Sequence, residues 1–309
     1  MPCLRFSIVA SVLCAGLFLP RVDAQEATPS IDAEWLFSHD SDKFDEARIS
    51  LGYRYANGWG VNANLARYRA PDWSASGRCL AATYARREAS RSLEAALGAT
   101  RTGNHTMLAG RFDYLQSLTE NTALGLSAER DVVDSVQGIN QGIAYTTLML
   151  VADHNFGPRS NVGIATGQTW FSDDNRRPIL RMRWNYELLP EHGLSAYLKT
   201  RHYRNTRPYH GNYYAPERLG EASLGLSWRT ALNDHVVFFT GADAGRQRVD
   251  HDANVSIWNV LAGLQSHRRA PVQWRIALEI SNNAPSMFSQ SEGSYRYFSL
   301  TGYLRIPLY

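Results

Sequence analysis

Apolar and polar residues alternate with a period of two from Ile31 to the end of this chain. The clearest run, residues 180–188, has apolar or aromatic side chains at every even position and polar ones at every odd position. The same division recurs in residues 222–229 and 272–281. A period of two is that of a β-strand with two different faces. The pattern therefore predicts a sheet with one apolar face and one polar, charged face.

Clusters of Gly, Asn, Asp and Pro divide the alternating sequence into about sixteen segments. We predict short turns at residues 57–60, 88–91, 120–122, 157–160, 190–193, 232–234 and 268–271, and longer connections at residues 40–46, 71–77, 132–142, 172–177, 205–219, 249–254 and 282–293. A tight connection at Gly103-Asn104 is the exception. Bacterial outer-membrane barrels have short periplasmic turns, longer extracellular loops and an even number of strands. We therefore predict an all-β fold, a transmembrane antiparallel up-and-down β-barrel of about sixteen strands in the cell outer membrane.

One segment leaves its outward face undecided. In residues 142–153 the residues at 147, 149 and 151 (Thr, Met, Val) compete with those at 148, 150 and 152 (Leu, Leu, Ala) for the apolar face. Both sets are apolar enough to face lipid. The alternation alone does not choose between them.

The N-terminus reads as an export signal. Arg5 precedes an apolar stretch that reaches Leu19, and small or apolar residues stand at Val22 and Ala24. This arrangement predicts a signal peptide over residues 1–24, cleaved before Gln25. The mature domain is then a single barrel over residues 25–309.

Composition narrows the possible partners. Removing Arg5, Arg21 and Asp23 with the signal changes the formal charge from +3 to +2, so we expect no nucleic-acid partner. Cys3 and Cys14 leave with the signal too, which excludes a scaffold of several disulfides in the mature chain. No mature segment approaches 18 consecutive apolar residues. Because only helices and closed barrels satisfy their backbone in lipid, a membrane role requires a barrel.

The last segment ends in an apolar strand face. Phe298, Leu300, Leu304 and Ile306 alternate toward a terminal Tyr309, with Pro307 near the end, where a strand tolerates it. This ending resembles the signal read by the outer-membrane barrel assembly machinery. We therefore expect that machinery and outer-membrane lipids as partners.

If the apolar faces meet lipid, the opposite faces line a lumen that is polar and mixed in sign. The predicted pore-lining residues are Arg48, Arg54, Glu94, Arg111, Asp113, Glu129, Arg181, Arg183, Glu187, Tyr197, Lys199, Arg201, Arg229, Asp243, Arg275, Glu279 and Arg305. If these charges pair across neighbouring strands, they keep the lumen hydrated and have a structural role. Alternatively, some of these charges and aromatic faces form a track for a polar polymer or solute.

The aromatic-rich segment of residues 206–218 follows one of these strands. It could fold inward and narrow the pore, or it could be an ordinary surface loop.

Two sequence patches resemble a known family. Residues 212–218 (NYYAPER) with residues 224–229 (LGLSWR), and the ending of residues 304–308 (LRIPL), are similar to the C-terminal barrels of exopolysaccharide export porins, those serving poly-N-acetylglucosamine and cellulose. The resemblance implies export of a polysaccharide by a single barrel. Members usually carry a periplasmic helical-repeat domain before the barrel, so we expect a separate helical-repeat or synthase partner. The poly-N-acetylglucosamine members have an acidic lumen, and because this one is mixed, their substrate is not carried over.

Two other classes remain open. An outer-membrane enzyme acting on lipid or envelope substrate would need a paired nucleophile and base, and the sequence has neither a Gly-x-Ser-x-Gly motif nor His-rich metal spacing. We therefore expect no catalytic residue, no metal site and no cofactor. A non-conducting structural or receptor barrel, plugged by its own side chains, is the second alternative.

Overall fold

A computed structural model describes residues 28–283 and 295–309 as sixteen β-strands with two short helical segments. The strands are β1 Ser30–Asp40, β2 Asp45–Arg54, β3 Trp59–Ala70, β4 Trp73–Arg87, β5 Arg91–Thr102, β6 His105–Ser117, β7 Thr122–Val132, β8 Ala144–Asn155, β9 Ser160–Phe171, β10 Arg176–Leu189, β11 Leu194–Arg204, β12 Arg218–Ala231, β13 Val236–Val249, β14 Val255–Ser266, β15 Gln273–Ser281 and β16 Tyr297–Pro307. Helix α1 is Val136–Gln141, and a 3₁₀ turn covers Pro190–His192.

Each strand pairs antiparallel with its neighbours in sequence, and the sheet closes on itself because β1 pairs with β16. The seam is continuous from the pair Ser30–Pro307 to the pair Asp40–Tyr297. At its middle the indole of Trp35 lies directly against Gly302, where a side chain on the glycine would have no room. The prediction of a transmembrane antiparallel barrel of about sixteen strands is confirmed.

Side chains alternate between the two faces as the sequence predicts. In β10 the even positions point outward, from Leu180 to Leu188, and the odd positions point inward. Leu224 in β12 and Leu80 in β4 are among the most exposed large apolar residues, at 63% and 66% of their surface, because they lie on the face that lipid covers. In β8 the buried side chains of Met149 and Thr147 point inward, which settles the parity that the sequence left open.

The connections differ from the prediction in one respect. The expected longer connections at residues 40–46, 71–77 and 172–177 are tight turns, at residues 41–44, 71–72 and 172–175. Sequence-based breaks at Ser74, Ser76 and Gly77 are not loop residues, because Ser74 and Ser76 pair with Arg69 and Arg67 and extend β4 toward the turn. The long connection at residues 282–293 lies mostly outside the described residues. The connections at the rim of the barrel that carries these turns are long at residues 133–143 and 205–217 and, by the strand bounds alone, at residues 282–296.

The barrel has two different rims. The rim at Ser30 and Pro307 carries the turns at residues 55–58, 88–90, 118–121, 156–159, 190–193, 232–235 and 267–272, and we call it the turn rim. The opposite rim carries residues 133–143 and 205–217, and we call it the loop rim. In bacterial barrels short turns are periplasmic and long loops extracellular. The loop rim is therefore assigned to the cell exterior.

Two further expectations lie at the margins of the structure. The signal peptide predicted over residues 1–24 lies outside the described residues, so the boundary before Gln25 stays a prediction. The last strand is present as predicted, with Phe298 and Ile306 exposed on the outer face. Within the described ranges, no helix is long and apolar enough to cross a membrane.

We expect Leu224→Arg to destabilise the barrel by about 2–4 kcal/mol, because it places a cation on the lipid face near mid-strand. The measurement is the free energy of unfolding in phospholipid vesicles. Ser195→Arg is the control, since residue 195 points inward and lies opposite Glu187. Equal losses in both variants would contradict the assignment of faces.

Candidate functional site

All of the side chains predicted to line the pore occur at inward positions of their strands. An inner contact that crosses a whole strand illustrates this. Tyr197 in β11 donates a hydrogen bond to Asp243 in β13, 3.0 Å away, and passes over Gly225 of the intervening β12. A Cβ at residue 225 would collide with the Tyr197 ring. The role of these side chains in passage of a solute stays a prediction.

The first group of inward charges lies at the barrel seam and links its strands. Asp32 in β1 accepts from Arg305 in β16 at 2.7 Å and pairs with Arg54 in β2 at 3.3 Å. Arg48, further along β2, is buried and pairs with Glu46 two positions away. Three consecutive strands around the closure are thereby linked by charge as well as by the backbone ladder.

A second group lies on β5–β7. Arg111 is 2.9 Å from Asp113 and 3.4 Å from Glu94 on the neighbouring strand. Asp113 also accepts from the Ser127 hydroxyl at 2.7 Å. Glu129, next along the barrel, accepts from the Tyr145 hydroxyl at 2.8 Å. Arg111 thus pairs with two carboxylates here, and hydroxyl groups donate hydrogen bonds to Asp113 and Glu129.

A third group lies on β11–β13. Lys199 is 2.7 Å from Asp243, the carboxylate that also holds Tyr197. Arg201 pairs with Glu221 at 2.9 Å. Many of the lumen charges are therefore paired across neighbouring strands, as one of the two sequence-based interpretations expected.

Pairing does not make the lumen uniform in charge. On β5–β8 carboxylates predominate, and we call this the acidic wall: Glu94, Asp113, Glu129, Asp131 and Asp153, with Arg111 as its inward cation. On β10–β12 cations predominate, and we call this the basic wall: Arg177, Arg181, Arg183, Lys199, Arg201 and Arg229, with Glu187 and Glu221 as its inward anions. The two walls are separated by β9, whose inward residues from Asn161 to Thr169 are small and uncharged.

Several inward arginines lie over aromatic rings, among them Arg183 and Arg275. The guanidinium carbon of Arg183 is 4.0 Å from the centre of the Tyr197 ring, and that of Arg275 is 4.3 Å from the centre of Phe239. Arg183 also donates to Asn185 at 2.7 Å. Glu279 on β15 accepts from Asn259. The pairs place flat, polarizable surfaces beside cations on the inner face.

At the loop rim, residues 205–217 fold inward and are held by Arg177. This buried arginine donates to the Asn205 side chain at 2.8 Å and to the Tyr214 carbonyl at 2.7 Å. Its guanidinium lies 4.7 Å from the Tyr203 ring centre and 5.2 Å from that of Phe171. The backbone N–H of Asn205 bonds to the carbonyl of Glu217 at 2.8 Å, so the loop begins and ends at one point.

Tyr213 is the inward anchor of this loop. Its ring stacks on Phe171 at 4.5 Å between centres, and its hydroxyl donates to Asp173 at 3.2 Å and accepts from Asn175 at 3.1 Å. Burial raises the pKa of Tyr213 well above its usual range, so the hydroxyl stays neutral. His210 packs edge-on against the Tyr213 ring at 4.5 Å.

Helix α1 covers the neighbouring part of the same mouth. Ile139 is buried against Tyr68 and Val132 on the inner face, and Asn140 accepts from the indole of Trp73 at 2.8 Å. The helix region joins the loop directly, since Ser135 donates to the Asn212 carbonyl at 2.7 Å. Two segments distant in sequence therefore form one layer across the loop rim.

Sequence reasoning missed several inward residues. Arg177 was placed in a loop, although it shares its parity with Arg181 and Arg183, and extending that parity would have found it. Glu221 and Asp32 lie just inside strand ends, where the alternation does not define the boundary of the strand. In the sequence, such residues are identified by their odd or even position within a strand and not by their residue type.

Comparisons with known proteins support the fold. A bacterial polysaccharide outer membrane secretin superposes with a TM-score of 0.73 at 12% identity, over 92% of this chain and 99% of that one. CdiB from Acinetobacter baumannii gives a TM-score of 0.52 at 10% identity over 90% of this chain, which spans 60% of CdiB. CdiB from Escherichia coli gives 0.51 at 10% identity over 88% of this chain and 62% of that one. No protein-family model matches the sequence, and no curated protein matches it either.

Such low identities establish shared architecture and nothing about cargo. The closed sheet of sixteen strands and the outer-membrane barrels that resemble it define this chain as an outer-membrane β-barrel. The finer resemblance to poly-N-acetylglucosamine and cellulose export porins is not established by them.

We expect Arg177→Met to loosen the loop of residues 205–217. The change preserves bulk but removes two hydrogen bonds from a charged donor, each contributing about 1.5–3 kcal/mol. Chymotryptic cleavage after the exposed Tyr209 should therefore accelerate by at least roughly 100-fold, as measured by mass spectrometry of the folded barrel. Arg176→Met, one residue away and pointing outward, is the control. Unchanged cleavage in Arg177→Met would refute the anchoring role.

We also expect the loop to loosen in mild acid. Burial lowers the pKa of His210 below its ordinary 6.5, an effect that Arg177 and Arg207 reinforce and Asp173, 3.8 Å away, partly offsets. A lowered pKa in the folded state adds stability above pH 6.5 and loses it as the pH falls. The loop of residues 205–217 should therefore open more often on acidification. The measurement is hydrogen exchange of the loop at pH values on either side of 6.5, corrected for the pH dependence of the intrinsic rate. The rise in exchange should be absent in His210→Asn, and an equal rise in both proteins would contradict this assignment.

Proposed function

We propose that this barrel is an outer-membrane channel for a polar solute of the saccharide class, with an exopolysaccharide as the first candidate. The observation that carries the proposal is the inner face, where a basic wall and an acidic wall run side by side with arginine-capped aromatic rings. Rows of polar and charged side chains bind a hydrophilic solute weakly at many positions, as conduction requires. A purely structural barrel has no need to separate its charges by strand.

In this proposed function the solute passes through the barrel without covalent chemistry. The inward carboxylates and cations of the three ion-paired groups serve one another, as Asp113 serves Arg111 and Asp243 serves Lys199. The proposed partners are outer-membrane lipids, the barrel assembly machinery and, if the cargo is a polymer, a periplasmic helical-repeat or synthase protein. The similarity in fold to a polysaccharide secretin is consistent with the saccharide class.

The layer at the loop rim supports a second candidate function. Helix α1 and residues 205–217 pack across the mouth on buried side chains such as Tyr213 and Ile139. A barrel whose outer mouth is covered in this way can act as a surface receptor or structural protein without conducting. The two functions differ in whether the layer opens.

We test the channel by planar-bilayer conductance of the refolded protein and of a variant with a shortened loop. Arg204 and Arg218 are backbone partners at the end of the β11–β12 ladder. Residues 205–217 can therefore be replaced by Asn-Gly, a two-residue hairpin turn. We expect a small or intermittent conductance in the parent and a larger, steady one in the variant. Neutral, acidic and cationic oligosaccharides added to one side should reduce the current to different extents.

Two outcomes discriminate between the candidates. Block by an oligosaccharide, weakened when Arg181 and Arg183 are changed to Gln, would support the channel and identify the preferred charge. No conductance in either protein, with both shown to be folded by heat-modifiable electrophoretic mobility, would refute the channel and favour the receptor. The double variant Arg268→Gln, Arg269→Gln, in a turn outside the walls, is the matched control for removal of two positive charges.

A further inference from the structure

The outer surface of the barrel carries a band of arginines close to the loop rim. These outward residues are Arg67, Arg69, Arg78, Arg101, Arg130, Arg176, Arg204, Arg218, Arg246 and Arg248. They share a face with the apolar residues that meet lipid, and they lie at the end of that face which is assigned to the cell exterior. The properties of the lumen do not explain why cations occupy the outer surface near the loop rim.

Carboxylates do not balance the band. Within the described strands Asp45 is the only carboxylate at an outward position, and it lies 2.6 Å from His39. The turn rim is different, because Arg86 and Arg91 both pair with Glu88, at 2.7 and 2.6 Å. The outward strand arginines near the turn rim are therefore neutralised by the protein, whereas most of those near the loop rim form no ion pair within the described residues.

The band is densest on β11–β13. Arg204 and Arg218 lie directly opposite each other on adjacent strands, a placement of like charges that is unfavourable without an anion. Arg218 has one partner of its own, Glu217 at 3.0 Å. Arg246 and Arg248 follow on β13, and within the described residues neither these two nor Arg204 forms an ion pair.

A concavity lies among these cations. Its volume is about 580 Å³, and its lining includes His202, Arg204, Arg218 and Arg248. It exists because Gly220 stands between His202 and Arg248 in the same cross-strand row and has no side chain to fill the gap. Asp250 and His251 close the side toward the turn after β13.

The side of this concavity that β10 forms is apolar. Leu180 lines it and lies opposite His202, while Leu224 is exposed lower on β12. An occupant that satisfies both regions has an anionic head and hydrocarbon chains. Arginine forks bind phosphate oxygens in pairs, and clusters of basic residues at a membrane surface attract anionic lipids.

We propose that the outer surface of β11–β13 at the loop rim binds the phosphorylated headgroup of a lipid in the outer leaflet. Arg204, Arg246 and Arg248 supply the charge, Gly220 supplies the space, and Leu180 contacts the acyl chains. The site lies on the opposite face of the sheet from the lumen and is independent of the channel proposal.

The test is native mass spectrometry of the refolded barrel, in detergent, titrated with bisphosphorylated hexa-acyl lipid A. Each interfacial arginine contributes roughly fivefold in affinity, so the triple variant Arg204→Gln, Arg246→Gln, Arg248→Gln should lose on the order of 100-fold. The triple variant Arg159→Gln, Arg268→Gln, Arg269→Gln removes the same charge from exposed positions at the turn rim and should bind as the parent does.

Three further arms use the parent protein, so the test does not depend on folding of a variant. Dephosphorylated lipid A should bind much more weakly than the bisphosphorylated form, and binding should weaken with added salt. Inorganic phosphate at the same concentration should not compete. Equal affinity for the two lipids, equal losses in the two triple variants, or competition by inorganic phosphate would each overturn the assignment to a lipid headgroup.

Discussion

The structure depends on the pairing of β1 with β16. A sheet left open at this seam would present unpaired backbone N–H and C=O groups to hydrocarbon, where each costs several kcal/mol. Because the two strands pair along the whole of β1, from Ser30 to Asp40, no edge remains. Closure then assigns every side chain to lipid or to the lumen, and this assignment governs where charge is tolerated.

The lumen shows what this division achieves inside the barrel. Charged side chains, which are unfavourable in lipid, lie on the inner face and pair across strands, as Asp32 does with Arg305 and Arg54. Because neighbours along the sheet are also neighbours in sequence, a local bias in composition becomes a wall. The basic surplus of β10–β12 and the acidic surplus of β5–β8 therefore lie on different parts of the circumference.

The loop rim concentrates the specialised features of the molecule. Inside it, Arg177 fastens residues 205–217 to the barrel, and Ser135 ties that loop to the helix region beside it. Outside it, Arg204, Arg246 and Arg248, which form no ion pair within the described residues, face the outer leaflet. At the turn rim, the outward strand arginines Arg86 and Arg91 both pair with Glu88. Specificity for solute and for lipid would both be determined at the exterior end.

The sequence by itself determined most of the strands, the parity of clear runs such as β10 and many of the inward charges, because a period of two is a local property that such a strand displays unaided. It left the parity of β8 open and did not identify the inward position of Arg177. It also indicated the number of strands closely. It did not determine the length of the turn at residues 71–72, since Ser74 and Ser76 look like loop residues until their pairing with β3 is seen. Only the tertiary structure decided that Tyr213 stacks on Phe171, that Tyr197 reaches Asp243 across Gly225, and that Arg204 faces Arg218. These contacts join residues of different strands and loops, and they depend on register and closure, which no single stretch of sequence contains.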